Sequence, residues 1–132
     1  MKFLNQNQLK IINMDVLFIN PDSSSQAYQD LSKVYSAIET PTWSLLLAES
    51  CRSKGFSVEI LDCDAERLSL KGSADRVKKS SPRLVVFAVY GQNPNSGTTS
   101  MIGAFELAKS LKKSCLKAPI CFVGSHTSAL PL

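Results

Sequence analysis

The sequence predicts an α/β fold, a doubly wound parallel sheet of flavodoxin-like order, and three features lead to this prediction. Four short apolar runs rich in β-forming residues recur along the chain, and helical patterns separate them. Polar, turn-rich segments follow three of the four runs. Strands that alternate with helices imply right-handed crossovers and a parallel sheet covered on both faces.

Two strands are predicted in the first half of the chain. Residues 14–20 (MDVLFIN) are apolar and rich in β formers, as in a buried parallel strand. A long polar loop follows over residues 21–39. Residues 56–62 (FSVEILD) alternate in polarity and predict the second strand. In a flavodoxin-like order of 2-1-3-4, these two strands are neighbours.

The segment 40–55 predicts a helix between these two strands. Thr40 is expected as its N-cap, Pro41 at its first helical position and Gly55 at its stop. One face of this helix is shared by Trp43, Leu46, Leu47 and Cys51.

The second half of the chain predicts two more helices and two more strands. Residues 74–81 predict a short, weaker helix that ends before Pro82. Residues 83–90 form the third and most apolar strand, and residues 118–124 the fourth. Apolar side chains at helical spacing predict a long helix between them: Met101, Ala104, Phe105, Ala108 and Leu111.

Composition indicates a single globular domain. The chain has 132 residues, of which 44% are hydrophobic and 20% charged, with a net charge of +4. The scattered lysines and arginines favour solvated helix faces over a nucleic-acid patch, which would need interleaved aromatic residues. Residues 1–13 are predicted to be an N-terminal extension and not a signal peptide. No apolar run approaches the length of a membrane span.

The four cysteines do not have the spacing of a metal site. Cys115 and Cys121, for example, are separated by five residues, which matches neither a zinc pair nor a cluster motif. Cys121 lies in an apolar strand and is expected to be a small buried hydrophobic residue. We expect all four thiols to be reduced, in a cytoplasmic setting.

The sequence predicts a ligand site at the carboxyl edge of the sheet. Three polar segments follow neighbouring strands of the predicted order: 20–26 (NPDSSSQ), 90–97 (YGQNPNSG) and 124–128 (GSHTS). Three glycines would let the backbone approach a ligand closely: Gly91, Gly97 and Gly124. Hydroxyls and amides without charge suit a large, mostly neutral ligand. Each segment alone would be an ordinary connecting loop.

Several familiar nucleotide and phosphate sites do not match these segments. A dinucleotide site needs a glycine-rich turn after the first strand, and this turn is missing. Asp62 stands at the end of the second strand, where such a site has an acidic residue for the ribose, but without the turn we interpret this match as a coincidence. A Walker loop is also missing. A phospho-receiver domain would need an aspartate where Tyr90 stands, and DSSSQ is a weak match to a flavin phosphate loop.

Four stretches together resemble the cobalamin-binding domain that precedes the catalytic barrel in cobalamin-dependent radical SAM enzymes. They are DVLFINPDSSS, TPTWSLLLAESCRSKGFSVEILDCDAE, PRLVVFAVYGQNPNS and APICFVGSHTSALP. The resemblance runs from about Met14 to the last residue. Asp22 replaces the second proline of the family's Asn-Pro-Pro, and Ser125 replaces the second glycine of its Gly-Gly-x-His-like turn.

The resemblance implies a cobalamin held over the strand ends, with its nucleotide tail beside the sheet. By position, its site would be lined by Asn20, Tyr90, Gly91, Gln92, Asn93, Gly124, Ser125, His126 and Thr127. The Asp-x-His-x-x-Gly motif, whose histidine coordinates cobalt, is missing. His126 is therefore not assigned as an axial ligand; it either bonds the edge of the cofactor or lies in a solvated loop.

The chain lacks the Cys-x-x-x-Cys-x-x-Cys motif that would hold a four-iron cluster and leave one iron for S-adenosylmethionine. That chemistry would belong to a barrel elsewhere in a parent protein, and residues 14–132 would be a cobalamin-binding-like domain, incomplete after the fourth strand. That strand would be a sheet edge, covered by residues 1–13 or by a second copy of the chain.

The sequence leaves three functions open. The first is a cobalamin-binding module of a radical SAM enzyme, which is not catalytic by itself. Its partner would be the catalytic barrel of the parent protein, and neither nucleic acid nor a membrane is expected as a partner. The second is a non-catalytic flavodoxin-like interaction module that has lost its ligand. The third is a nucleotide-binding domain of unrecognised type.

Overall fold

The computed structural model describes residues 14–22, 38–90 and 94–129, with the backbone alone for 94–96, and it confirms the α/β prediction. Its strands, in chain order, are β1 (Val16–Asn20), β2 (Val58–Asp62), β3 (Leu84–Ala88) and β4 (Ile120–Val123). All neighbouring strands pair in parallel, in the flavodoxin-like order β2-β1-β3-β4. The predicted extension 1–13 lies outside the described residues.

Four helices are found among the described residues: α1 (Thr42–Arg52), α2 (Leu70–Ser80), α3 (Pro94–Lys113) and α4 (Ser125–Ala129). The helix α2 begins four residues before the predicted start at 74, because Ser69 caps it. The Oγ of Ser69 accepts a hydrogen bond from the backbone N–H of Gly72 at 3.1 Å. That bond satisfies a donor that the first turn would otherwise leave unpaired.

The start of α1 differs from the prediction by one residue. Pro41 is the capping residue instead of Thr40, and no side chain among the described residues caps the helix. The carbonyl of Thr40 instead accepts the backbone N–H of Thr42 at 2.7 Å. The helix ends at Arg52 with Ser53 as its C-cap, three residues before the predicted stop. Gly55, with φ +88°, closes the turn that follows, and its N–H bonds the carbonyl of Arg52.

Apolar side chains fill both faces of the sheet, as a doubly wound fold requires. The larger core lies under α2 and α3 and includes Leu17, Ile19, Leu61, Val77, Val85, Phe87, Leu107 and Leu111. The smaller core lies under α1 and consists of Val16, Phe18, Ala48 and Val86. Alternate residues of each strand therefore serve opposite layers.

Four apolar residues that the sequence patterns single out are exposed: Cys121, Phe105, Trp43 and Leu46. Cys121 lies on the face of β4 opposite Ile120 and Phe122, which pack in the larger core. The helix α1 packs on β1 and β2, so on the sheet face that it covers, the part around β4 stays exposed to solvent. Phe105 is 55% exposed, and on α1 the buried residues are Ser44 and Ala48, not Trp43 or Leu46. The predicted burial of Cys121 is therefore wrong.

Candidate functional site at the carboxyl edge

The carboxyl ends of β1, β3 and β4 lie along one edge of the sheet. The pairing of Ile19 with Phe87 and of Ala88 with Val123 keeps the strand ends level. Asn20 is the last residue of β1, and Gly124 directly follows β4. The three predicted loops therefore leave from the same edge, although residues 23–37 and 91–93 lie outside the described part of the chain.

A cleft of about 480 Å³ opens at this edge, between the ends of β1 and β3 and the beginning of α1. Asn20 and Tyr90, both predicted from the sequence, line it. Trp43 contributes the other aromatic wall, and its ring stacks on that of Tyr90 with centroids 4.6 Å apart and an interplanar angle of 20°. A stacked aromatic pair contributes about 0.5–1.5 kcal/mol beyond the area that it buries.

Hydrogen bonds fix the orientation of Asn20. Its Nδ2 donates to Oδ1 of Asp62 at 3.0 Å, and its backbone carbonyl accepts the N–H of Cys63 at 3.0 Å. The same Oδ1 of Asp62 accepts the backbone N–H of Ala65 at 3.1 Å. Asp62 therefore has a structural role, because its carboxylate binds both the amide of Asn20 and the turn after β2.

The cleft is polar but carries little charge. Of the described residues that line it, only Glu39 is formally charged, and hydroxyls come from Thr40, Thr42 and Ser44. A ligand with several phosphates would find no cationic side chain in this lining. The lining instead suits an uncharged group with hydrogen-bonding edges and a flat face.

Carboxylates surround the neighbouring end of β2 and add a negative potential. Burial raises the pKa of Asp64, and the charges of Asp22 and Asp62 raise it further. An anionic ligand at this end of the edge would be repelled, which again favours a neutral ligand.

The segment after β4 makes contacts of a different kind. Gly124 has φ +151°, and a Cβ at this position would overlap the carbonyl oxygen of Val89. Its own carbonyl accepts the Oγ1–H of Thr127 at 3.0 Å and the Oγ–H of Ser128 at 2.9 Å. Because Gly124 has no side chain, the backbone of Val89 can pack closely against it.

His126 is tied to the beginning of α3. Its Nδ1 lies 3.2 Å from Oγ1 of Thr98, so the pair joins α4 to α3. None of the residues 124–127 belongs to the lining of the cleft as far as the described chain shows. The reason is geometric, since β4 lies two strand spacings from β1, roughly 10 Å away. Of the predicted site, Gly91, Gln92 and Asn93 lie outside the described residues.

The sequence did not predict Trp43 and the threonines beside it as cleft residues, because helical spacing placed Trp43 only on a face shared with Leu46, Leu47 and Cys51. A usable signal was present. A helix that follows β1 in a parallel sheet begins at the carboxyl edge, so an aromatic residue in its first turn lies close to the strand ends. The polar sequence Thr40-Pro41-Thr42 before Trp43 marks that beginning.

A second cavity of about 300 Å³ lies by the other face of the same edge. Cys63, Ser73 and Glu106 are among its lining residues. Burial raises the pKa of the Cys63 thiol to about 11, so it stays protonated at neutral pH and is a poor nucleophile. No group of three or more metal-binding side chains is found in the part of the chain that the structure describes.

Comparison of the chain with protein-family models, curated proteins and solved structures finds no match. No helix among the described residues has both the length and the apolar character that crossing a bilayer requires. The ligand of this chain has therefore to be inferred from the residues at its carboxyl edge.

Proposed function

We propose that this chain is a cobalamin-binding module, and that part of the cofactor occupies the cleft at the carboxyl edge. The observation that carries the proposal is the meeting of Asn20, Trp43 and Tyr90 in one cleft of about 480 Å³. The parent protein would be a radical SAM enzyme, with S-adenosylmethionine and a four-iron cluster bound by a barrel outside this sequence. The four free thiols support a cytoplasmic setting.

The chemistry of the lining supports a ligand with amide edges and a flat ring. Cobalamin presents many uncharged carboxamides, which can exchange hydrogen bonds with the hydroxyls of Thr40 and Thr42 and with the amide of Asn20. The single charge in the lining, Glu39, disfavours nucleotides with several phosphates. The same observation weighs against the nucleotide-binding alternative.

The volume of the cleft limits how the cofactor is held. A site of about 480 Å³ is in the range of roughly 300–1,000 Å³ that encloses drug-sized ligands, and cobalamin is larger. Part of the cofactor must therefore lie outside the cleft. Ile38, Trp43 and Leu46, each at least half exposed, offer apolar surface beside the opening.

When bound, cobalamin supplies the group-transfer chemistry through its cobalt. The residues of this chain bind and orient it: Asp62 holds Asn20, and Tyr90 and Trp43 brace each other. His126, bonded to Thr98, is not assigned to the metal. The chain is thus proposed as a binding module and not as a catalyst.

Two observations favour the alternative of an interaction module that has lost its ligand. Four large apolar side chains around the beginning of α1 are between 47% and 58% exposed, and they are Ile38, Trp43, Leu45 and Leu46. Exposed apolar surface of this kind is typical of protein contacts. In addition, Gly124 is packed against Val89 and leaves no cradle there for a ligand.

The proposal is tested by mixing the protein with hydroxocobalamin, desalting, and recording the visible spectrum. We expect corrin absorbance to stay with the protein. Trp43→Ala should weaken retention roughly two- to tenfold, which is the loss of one aromatic contact. Phe56→Ala is the matched control, because Phe56 is 51% exposed against 50% for Trp43 but does not line the cleft.

The two functions predict opposite results. Retention that depends on Trp43 and not on Phe56 supports the cobalamin module. No retention by a folded protein, or equal retention by both variants, contradicts it and leaves the interaction module as the better account.

A further inference from the structure

We infer that the C-terminal ends of α2 and α3 form a docking surface for an acidic protein segment. Five exposed lysines make up this surface, called here the lysine patch: Lys78, Lys79, Lys112, Lys113 and Lys117. The patch lies at the amino edge of the sheet, opposite the cleft, so the inference goes beyond the proposed function and does not depend on it.

The topology brings the two pairs of lysines together. The helices α2 and α3 pack against each other, and both cover the larger core. Both also connect parallel strands, so each ends at the amino edge, with Lys78 and Lys79 on α2 and Lys112 and Lys113 on α3. Packed helices have axes roughly 8–10 Å apart, which places the pairs side by side. Lys117 follows in the connection to β4.

The positive charge of the patch is poorly compensated. Lys78 lies 3.7 Å from the carboxylate of Asp75, an exposed pair within one helix. No ion pair joins the other four lysines to a carboxylate in the described part of the chain. The two helix ends contribute only about −0.5 charge each. A net positive surface therefore faces solvent.

The composition of the patch favours an acidic protein over a lipid surface or a nucleic acid. Among the described residues, the large exposed apolar side chains of α2 and α3 are Leu70, Ile102 and Phe105. All three lie at least two turns from the C-terminal ends of their helices, so the patch has no large apolar anchor for a bilayer. No aromatic residue of the described chain belongs to the patch for base stacking.

The nearby arginines are already engaged, which removes the forked donors that phosphates prefer. Arg83 bonds Asp15 at 3.0 Å, and Arg76 lies 3.5 Å from the carboxylate of Glu59. The remaining ammonium groups act as point charges, which pair with carboxylates without a fixed geometry. Aspartate and glutamate side chains of a partner meet this requirement.

The test uses a fluorescently labelled oligo-glutamate peptide and measures its anisotropy with the full chain at increasing salt. We expect saturable binding that weakens steeply as salt rises, because the contacts are exposed charges. The double variant Lys79→Gln/Lys113→Gln removes one charge from each helix and should weaken binding on the order of fivefold. The control Lys54→Gln/Lys71→Gln removes the same charge elsewhere and should bind like the wild type.

Two further probes decide the class of partner: a single-stranded oligonucleotide of equal charge, and vesicles containing phosphatidylserine. Weaker binding of both than of the peptide supports the inference. Tighter binding of either one overturns the choice of an acidic protein. Equal loss in the two double variants, or no peptide binding at low salt, overturns the docking surface itself. Cobalamin retention is measured separately, so failure here is distinguishable from failure of the proposed function.

Discussion

The two ends of the sheet differ in how their aspartates are used. At the amino edge, Asp15 accepts the backbone N–H of Ser57 at 2.9 Å, the hydroxyl of Ser57 at 2.8 Å and the guanidinium of Arg83 at 3.0 Å. These bonds join the beginnings of β1, β2 and β3. The backbone N–H of Ser57, followed by its hydroxyl, lowers the pKa of Asp15.

At the carboxyl edge the pKa of an aspartate is raised instead of lowered. Burial and the charges of Asp22 and Asp62 raise the pKa of Asp64, so its ionised form is disfavoured in the folded chain. Here a cleft opens between the ends of β1 and β3, whereas hydrogen bonds of Asn20 join the end of β1 to the end of β2. From this comparison we expect Asp15 to stabilise the fold at neutral pH and Asp64 to destabilise it.

The largest effect that would sharpen this comparison is expected from Gly124→Ala. The new Cβ would overlap the carbonyl of Val89, and the backbone conformation disfavours any side chain, so we expect a loss of about 3 kcal/mol or more in unfolding free energy. Gly55→Ala is the control, because it also has positive φ but meets nothing within 4 Å. It should cost only about 1 kcal/mol. Equal losses in urea denaturation would contradict the close approach.

A smaller effect is expected from Asn20→Ala at the carboxyl edge. The substitution removes the bond to Asp62 in a partly buried site, with a cost of about 1 kcal/mol in stability. It should also weaken cobalamin retention, because Asn20 lines the cleft. Thermal unfolding and the desalting assay measure the two losses separately. Stability loss without any change in retention would make Asn20 a structural residue only.

The smallest effects are expected from the two aspartates, and they have opposite signs. At neutral pH Asp15→Asn should lower the unfolding free energy and Asp64→Asn should raise it. The contribution of Asp15 is fully present above its ordinary pKa of 3.8 and is lost as pH falls through its lowered folded value. The penalty at Asp64 is relieved as pH falls through its raised folded value. Both differences from wild type should therefore vanish in acid.

The measurement is urea denaturation of the wild type, Asp15→Asn and Asp64→Asn across a pH series. Asp75→Asn is the control, because Asp75 has only a 3.7 Å exposed contact with Lys78 and should change little at any pH. Changes of the same sign in Asp15→Asn and Asp64→Asn at neutral pH would contradict the difference between the two edges.

Strand positions were predictable because a buried parallel strand is a continuous apolar run, as in β3. Their order follows the flavodoxin-like arrangement expected when strands alternate with helices. Helix starts were less predictable, because they depend on caps. The sequence pattern of α2 weakens before residue 74, and the helix is extended to Leu70 by the side chain of Ser69. Pro41 has a non-helical ψ of 60°, which moves the beginning of α1 past the expected residue.

The candidate site was predictable only in part. The ends of β1 and β3 identify Asn20 and Tyr90, since both residues follow directly from strand order. Trp43 was predicted only to share a helix face with Leu46, Leu47 and Cys51, because helical spacing does not say how far a short helix extends over the sheet. Cys121 was misplaced for a related reason: burial of an edge strand depends on which helix covers each face, and the sequence of the strand does not record this.

The most direct test of the central claim uses the only tryptophan of the chain, Trp43, as a reporter inside the cleft. Its fluorescence is followed while hydroxocobalamin is added, with free N-acetyltryptophanamide correcting for light absorbed by the corrin. The account predicts saturable quenching that Asn20→Ala weakens and Phe56→Ala leaves unchanged. Quenching that only follows the absorbance correction, with no saturation, would contradict a cobalamin site at this edge.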